Sequence, residues 1–126
     1  MNEKLFQNVL EQIQEYLPAD WRKMVFFAGY TEGSYSMKFY CNDHRGSYID
    51  CFSLTGIKRT KLIKTFMDID KILARERARL EREFRWTVFT MMVDSEGNMK
   101  TEFDYDDHSD DMVLYEKEWE QRYLIN

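Results

Sequence analysis

Apolar and polar residues alternate along this chain with two different periods, and the switches between them mark the elements. In residues 3–17, Phe6, Val9, Leu10, Ile13 and Leu17 recur at the i, i+3, i+4 spacing of an amphipathic helix. Pro18 ends it, because the residue before a proline is pushed out of the helical region. From Lys23 the period is two. Met24, Phe26, Ala28 and Tyr30 alternate with Val25, Phe27 and Gly29, which predicts a strand. Glu32-Gly33 punctuates, and Tyr35, Met37, Phe39 and Cys41 then line one face of a second strand. The segment Asn42 to Gly46, with His44 inside it, is turn chemistry, and Tyr48 to Leu54 reads as a third strand. Three strands joined by short turns predict an antiparallel meander.

The helical period returns with Leu62, Phe66, Ile69, Leu73, Leu80 and Phe84, and charged residues fill the other faces. One helix of about seven turns fits this spacing. Strand alternation resumes at Trp86 and predicts a hairpin with its tip at Asp94-Ser95-Glu96-Gly97. On the returning strand Met99, Thr101, Phe103 and Tyr105 share one face. Lys100, Glu102 and Asp104 share the other, which is solvated or meets a partner. Met112 to Tyr123 reads as a terminal helix with Val113, Trp119 and Tyr123 as packing residues. The order αβββαββα predicts an α+β fold, a single domain over residues 1–126, with an antiparallel β-sheet of about five strands packed against helices.

Composition narrows the class. Hydrophobic residues at 44% and aromatics at 16% exclude a disordered chain, and one proline with five glycines excludes low complexity. No apolar run reaches bilayer length, and Met1-Asn2-Glu3-Lys4 opens no signal peptide, so a cytoplasmic protein is expected. Cys41 and Cys51 fall in strand-like segments and are expected to be reduced core residues. The net charge of −5 is unevenly spread. Residues 58–85 carry ten Lys/Arg against five acids, while residues 94–126 carry eleven acids against three bases. The acidic end should repel nucleic acid and attract a basic protein surface.

The densest charge lies in Phe103 to Asp111, where five aspartates fall within the eight positions 104–111. Like charges so close are tolerated when water, a cation or a basic partner faces them. An EF-hand loop starting at Asp104 would need Gly at its sixth position and Glu at its twelfth; Ser109 and Tyr115 stand there instead. A two-metal hydrolase could draw on Asp94, Glu102 and Lys100, but nothing in the spacing makes them converge. His108 could pair with Asp106 or Asp111. Neither cysteine has the setting of a nucleophile, and no glycine-rich phosphate loop exists. Arg75, Arg79 and Arg82 on the long helix offer a nucleic-acid reading, without aromatic stacking platforms to support it. The residues therefore point to no catalytic, cofactor or metal site. A protein-binding surface, a small metal-dependent hydrolase and a nucleic-acid-binding domain stay open in that order. Met112 to Tyr115 forms an apolar patch capable of self-association.

The ordered features resemble the YezG-like immunity protein family of Gram-positive bacteria. The carriers are the N-terminal helix leading into Tyr16-Leu17-Pro18-Ala19-Asp20-Trp21, and the strand Val25-Phe26-Phe27-Ala28-Gly29-Tyr30 with Glu32-Gly33. The hairpin from Trp86 through Asp94-Ser95-Glu96-Gly97 to Phe103-Asp104-Tyr105-Asp106-Asp107 follows, and a helix holding Trp119 closes with Tyr123-Leu124. The chain departs from the family pattern at Phe84-Arg85, where relatives often have a proline, and in the proline-free Ser109-Asp110-Asp111. The resemblance implies a cytoplasmic, non-catalytic antitoxin without a cofactor. Its partner would be the C-terminal domain of an LXG-type polymorphic toxin, such as a nuclease exported by type VII secretion. No nucleic acid or membrane is implied as a direct partner. The residues expected to meet the toxin are Glu102, Asp104, Asp106, Asp107, Asp110 and Asp111.

Overall fold

Five strands and three helices follow one another as expected in the computed structural model, which describes residues 3–43 and 45–125. His44, placed in a turn by the sequence, lies outside the described residues. By its internal contacts the chain forms two compact units. One runs up to Ala19 and resumes over Phe52–Arg85, and the other comprises Asp20–Cys51 with the chain from Trp86 onward.

The first unit holds α1 (Glu3–Gln14) and α2 (Arg59–Arg79). Phe6, Val9 and Ile13 form the buried stripe of α1, as their spacing requires. The helix stops at Gln14, short of the predicted Leu17, because Tyr16 is drawn to α2. Its hydroxyl lies 2.6 Å from Thr65 Oγ1 and donates to the Lys61 carbonyl at 3.3 Å, beside a Lys61–Glu15 ion pair of 3.1 Å. The second helix is also shorter than its periodicity implied. Leu80 turns extended, and the Arg85 guanidinium donates to the carbonyls of Arg77 (2.9 Å) and Leu80 (3.0 Å). An arginine a few residues on thus bonds carbonyls at the helix end, where the Arg77 carbonyl also accepts the Leu80 N–H at 3.1 Å. A 3₁₀ turn, Arg82–Phe84, follows and leaves Phe84 exposed.

The second unit is built on an antiparallel sheet in the order β3-β2-β1-β4-β5. Its strands are β1 (Lys23–Thr31), β2 (Ser34–Asn42), β3 (Ile49–Asp50), β4 (Val88–Asp94) and β5 (Met99–Asp104). The meander and the hairpin meet along β1 and β4, with Phe26 opposite Met91 and Phe27 opposite Thr90. The third strand keeps only two of its predicted residues. A 3₁₀ turn over Cys51–Ser53 takes the chain off the sheet, and Phe52 packs edge-on to Phe66 with Arg59 over its ring. Cys51 is therefore in a turn and not on a strand beside Cys41; both cysteines are buried and outside any disulfide. Burial pushes the Cys41 thiol up to about 11, aided by Asp43 and Asp20.

Both faces of the sheet are buried at its centre. Phe26, Phe39, Phe89 and Met91 point to one side. Val25, Phe27, Tyr40 and Val88 point to the other, where α3 (Met112–Tyr123) lies with Trp119 at the middle of the cluster. A 12-residue helix is marginal in water alone, so this seat is what stabilises α3.

Candidate functional site

Helix α3 meets the sheet through a stripe of residues at near-fourfold spacing: Met112, Tyr115, Trp119 and Tyr123. Gly29 makes room for its first turn. A Cβ there would sit 2.9 Å from the Phe27 ring and 3.3 Å from Met112 Cε. The Trp119 ring stands edge-on to Phe27, centroids 4.9 Å apart, and its indole N–H donates to Thr90 Oγ1 at 2.9 Å. The Thr90 hydroxyl in turn bonds Tyr123, and the Tyr123 hydroxyl donates to the Glu102 carboxylate. Every proton in this chain has an acceptor, as a buried polar network requires. Burial and the Glu102 hydrogen bond push Tyr123 up to about 12, while the same bond holds Glu102 below the usual carboxylate range.

The face carrying Lys100, Glu102 and Asp104 is therefore only partly solvated: the terminal helix half-buries Glu102 and Asp104, while Lys100 stays exposed. Register explains this: Glu102 is opposite Thr90 and Asp104 opposite Val88, both on the side that α3 occupies. Val113, expected to pack, is 70% exposed, and Tyr115 packs in its place. Four consecutive apolar positions, 112–115, leave helical periodicity unable to choose between those faces.

The acidic segment that joins β5 to α3 is tied down at both ends. Thr87 Oγ1 donates to the carbonyls of Asp104 (3.0 Å) and Asp106 (2.6 Å). The Asp104 carboxylate accepts the Asp106 N–H at 2.8 Å and lies 3.1 Å from His108 Nε2. Burial raises Asp104, but hydrogen bonds from Asp106, His108 and Tyr115 outweigh it and hold the carboxyl below its ordinary value. Burial and the Asp104 charge push the Tyr115 phenol upward. The His108 ring stacks on Tyr115, centroids 3.9 Å apart, and its Nδ1 lies 3.5 Å from Asp111. His108 thus pairs with Asp111 as expected, and with Asp104 in place of Asp106. The Asp107 carboxylate accepts the Ser109 hydroxyl (2.5 Å) and N–H (2.9 Å), which hold it low.

These bonds divide the six acids expected to meet a partner. Glu102 and Asp104 are half-buried and engaged within the protein; Asp106, Asp107, Asp110 and Asp111 are exposed. The sequence had no means to foresee Thr87 and Thr90 as their anchors. Tyr123 was expected to pack and does; Tyr115 was accessible in principle, since aromatics at 115, 119 and 123 repeat every fourth residue. Glu102, Asp104, Asp106, Tyr115, Arg122 and Tyr123 help line a cleft of about 640 Å³ beside the loop.

Chemically, Asp104, Asp106 and His108 offer three ligand atoms within 4.8 Å of one another, a donor set that suits a divalent cation. Among the described residues this is the one such grouping. Asp94 does not join it, because its carboxylate accepts from Glu96, Asn98 and the Asn98 side chain in its own turn. The basic helix α2 shows ion pairing along its surface, Lys71 with Asp68 at 3.8 Å and Arg79 with Glu76 at 3.7 Å. Among the described residues no helix is long and apolar enough to cross a membrane. No curated protein matches the chain. The description "Immunity protein YezG-like" belongs to a family that matches residues 2–125. With nearly its whole length matched, and with the α+β architecture described above, the chain belongs to the YezG-like immunity protein family.

Proposed function

We propose that this immunity protein is non-catalytic and acts in the cytoplasm by binding the C-terminal domain of a cognate LXG-type toxin, a nuclease exported by type VII secretion. The observation that supports this most is the division of labour in the acidic segment. Asp104 and Glu102 anchor it from behind, and Asp106, Asp107, Asp110 and Asp111 stand exposed. A nuclease groove is positive because it holds phosphates. Four carboxylates on a hydrogen-bonded loop complement it, speed encounter and compete with the substrate for the same cations.

The test is a pull-down with the isolated toxin domain, followed by a DNA-degradation assay with and without this protein. Stoichiometric binding that stops degradation is expected. Asp106→Lys with Asp107→Lys should slow association by about tenfold or more at low salt, with the difference shrinking as salt rises. Unchanged association in that variant would remove the acidic surface from the contact. The grouping of Asp104, Asp106 and His108 supports a second reading, a small metal-dependent hydrolase. Stoichiometric Mn²⁺ binding by calorimetry, lost in Asp104→Asn, would favour it.

A further inference from the structure

We infer that Val113 and Leu114, in the first turn of α3, form the apolar centre of the toxin contact, with the aspartates as its rim. This rests on the toxin-binding reading above. Val113 is 70% and Leu114 57% exposed, although Met112 and Tyr115 of the same turn face the sheet. Scattered exposed aliphatics need no explanation, but these two are adjacent and sit in a shallow depression shared with Ser109, Asp110, Asp111 and Lys117. Exposed carboxylates at 106, 107, 110 and 111 precede them in the chain. An apolar centre bordered by charge is the anatomy of a protein interface, where the centre resists dissociation and the rim steers approach.

The charge selects the occupant. A second copy meeting this patch about a twofold axis would bring two acidic rims together, which like-charge repulsion opposes. Anionic headgroups are repelled in the same way. The occupant that fits is a protein surface with an apolar contact point ringed by lysine or arginine.

The test uses the full chain with Val113→Ser and Leu114→Ser together, against the purified C-terminal domain of its cognate LXG-type toxin. Association and dissociation rates are read separately, and the free protein is sized by sedimentation. Both side chains are exposed, so the fold should be kept; Val113→Ala with Leu114→Ala is the milder variant if it is not. Dissociation should quicken roughly tenfold, with association and its salt dependence unchanged. Unchanged dissociation, in a protein whose Asp106→Lys, Asp107→Lys variant still associates slowly, would overturn the apolar centre and leave the acidic surface standing. Absence of binding by the unmodified protein would overturn the toxin reading and this inference with it. A dimer of the free protein that the serine variant dissolves would assign the patch to a second copy instead.

Discussion

Replacing Thr90 by valine keeps the shape of the side chain and removes one oxygen, so it isolates the bond that seats α3. The Trp119 indole N–H donates to the Thr90 hydroxyl at 2.9 Å, and both residues are at most 3% exposed. No water can substitute at such a site without a cavity to hold it, so the variant leaves a buried donor unmet. That costs about 1–3 kcal/mol. Because Thr90 also bonds Tyr123, the loss falls toward the upper part of that range. The clean measurement is a double-mutant cycle with Trp119→Phe, followed by urea denaturation and far-UV circular dichroism. Fluorescence is unsuitable because one partner is itself a tryptophan. Trp119→Phe alone should lose more than the bond, since a smaller ring leaves a void beside Phe27. The coupling energy between the two sites should be about 0.5–1.5 kcal/mol, the net worth of a neutral hydrogen bond. A coupling below about 0.3 kcal/mol, the range over which unrelated sites add, would show that Trp119 does not depend on Thr90. The docking of α3, and the covering of Glu102 that follows from it, would then be wrong.

The remaining expectations concern the same face. Gly29→Ala should destabilise by about 1–3 kcal/mol in the same denaturation assay, because its Cβ would press on a buried Phe27 ring already held by Trp119. Asp104 is held below its ordinary value in the fold, so its contribution is present above the unfolded pKa and is lost as pH falls through the lower folded one. An acid titration should show stability dropping below roughly pH 4, with a smaller drop in Asp104→Asn. Tyr40, Tyr115 and Tyr123 are all raised, chiefly by burial, and contribute stability below the unfolded value near 10 that vanishes as pH rises through their folded values. Ultraviolet absorbance should therefore show these three phenols, and Tyr48, which burial also raises, ionising late, together with loss of structure; normal titration of all tyrosines in the folded protein would contradict their burial. Arg85→Ala should cost about 1 kcal/mol and fray the end of α2, seen as faster amide exchange near Arg77 to Leu80.

Local chemistry determined much of this protein. The period of two in β1 and β2, the turn residues at Asp94 to Gly97, and the bounds of α3 at Met112 and Tyr123 were all legible in the sequence. Each depends on neighbours a few residues away: alternation across a pleat, a glycine at φ 95° in the hairpin turn, a helix repeat. The concentration of acids between 104 and 111 was legible for the same reason.

Tertiary structure decided what local signals leave open. Periodicity overran both helices of the first unit, because their ends are set by Tyr16 reaching Thr65 and Arg85 reaching the carbonyls of Arg77 and Leu80. Alternation overran β3, because Phe52 turns away to Phe66. Only the pairing of β1 with β4 joins meander and hairpin into one sheet. That sheet then chooses which side of an ambiguous apolar run in α3 is buried, admitting Met112 beside Gly29 and leaving Val113 in solvent. The acids were separated by the same choice. Glu102 and Asp104 point under the helix and find hydroxyl, amide and imidazole partners, while the four beyond them have left the strand and remain in water. A sequence fixes where charges occur along a chain; which of them face water depends on what the fold brings across from elsewhere.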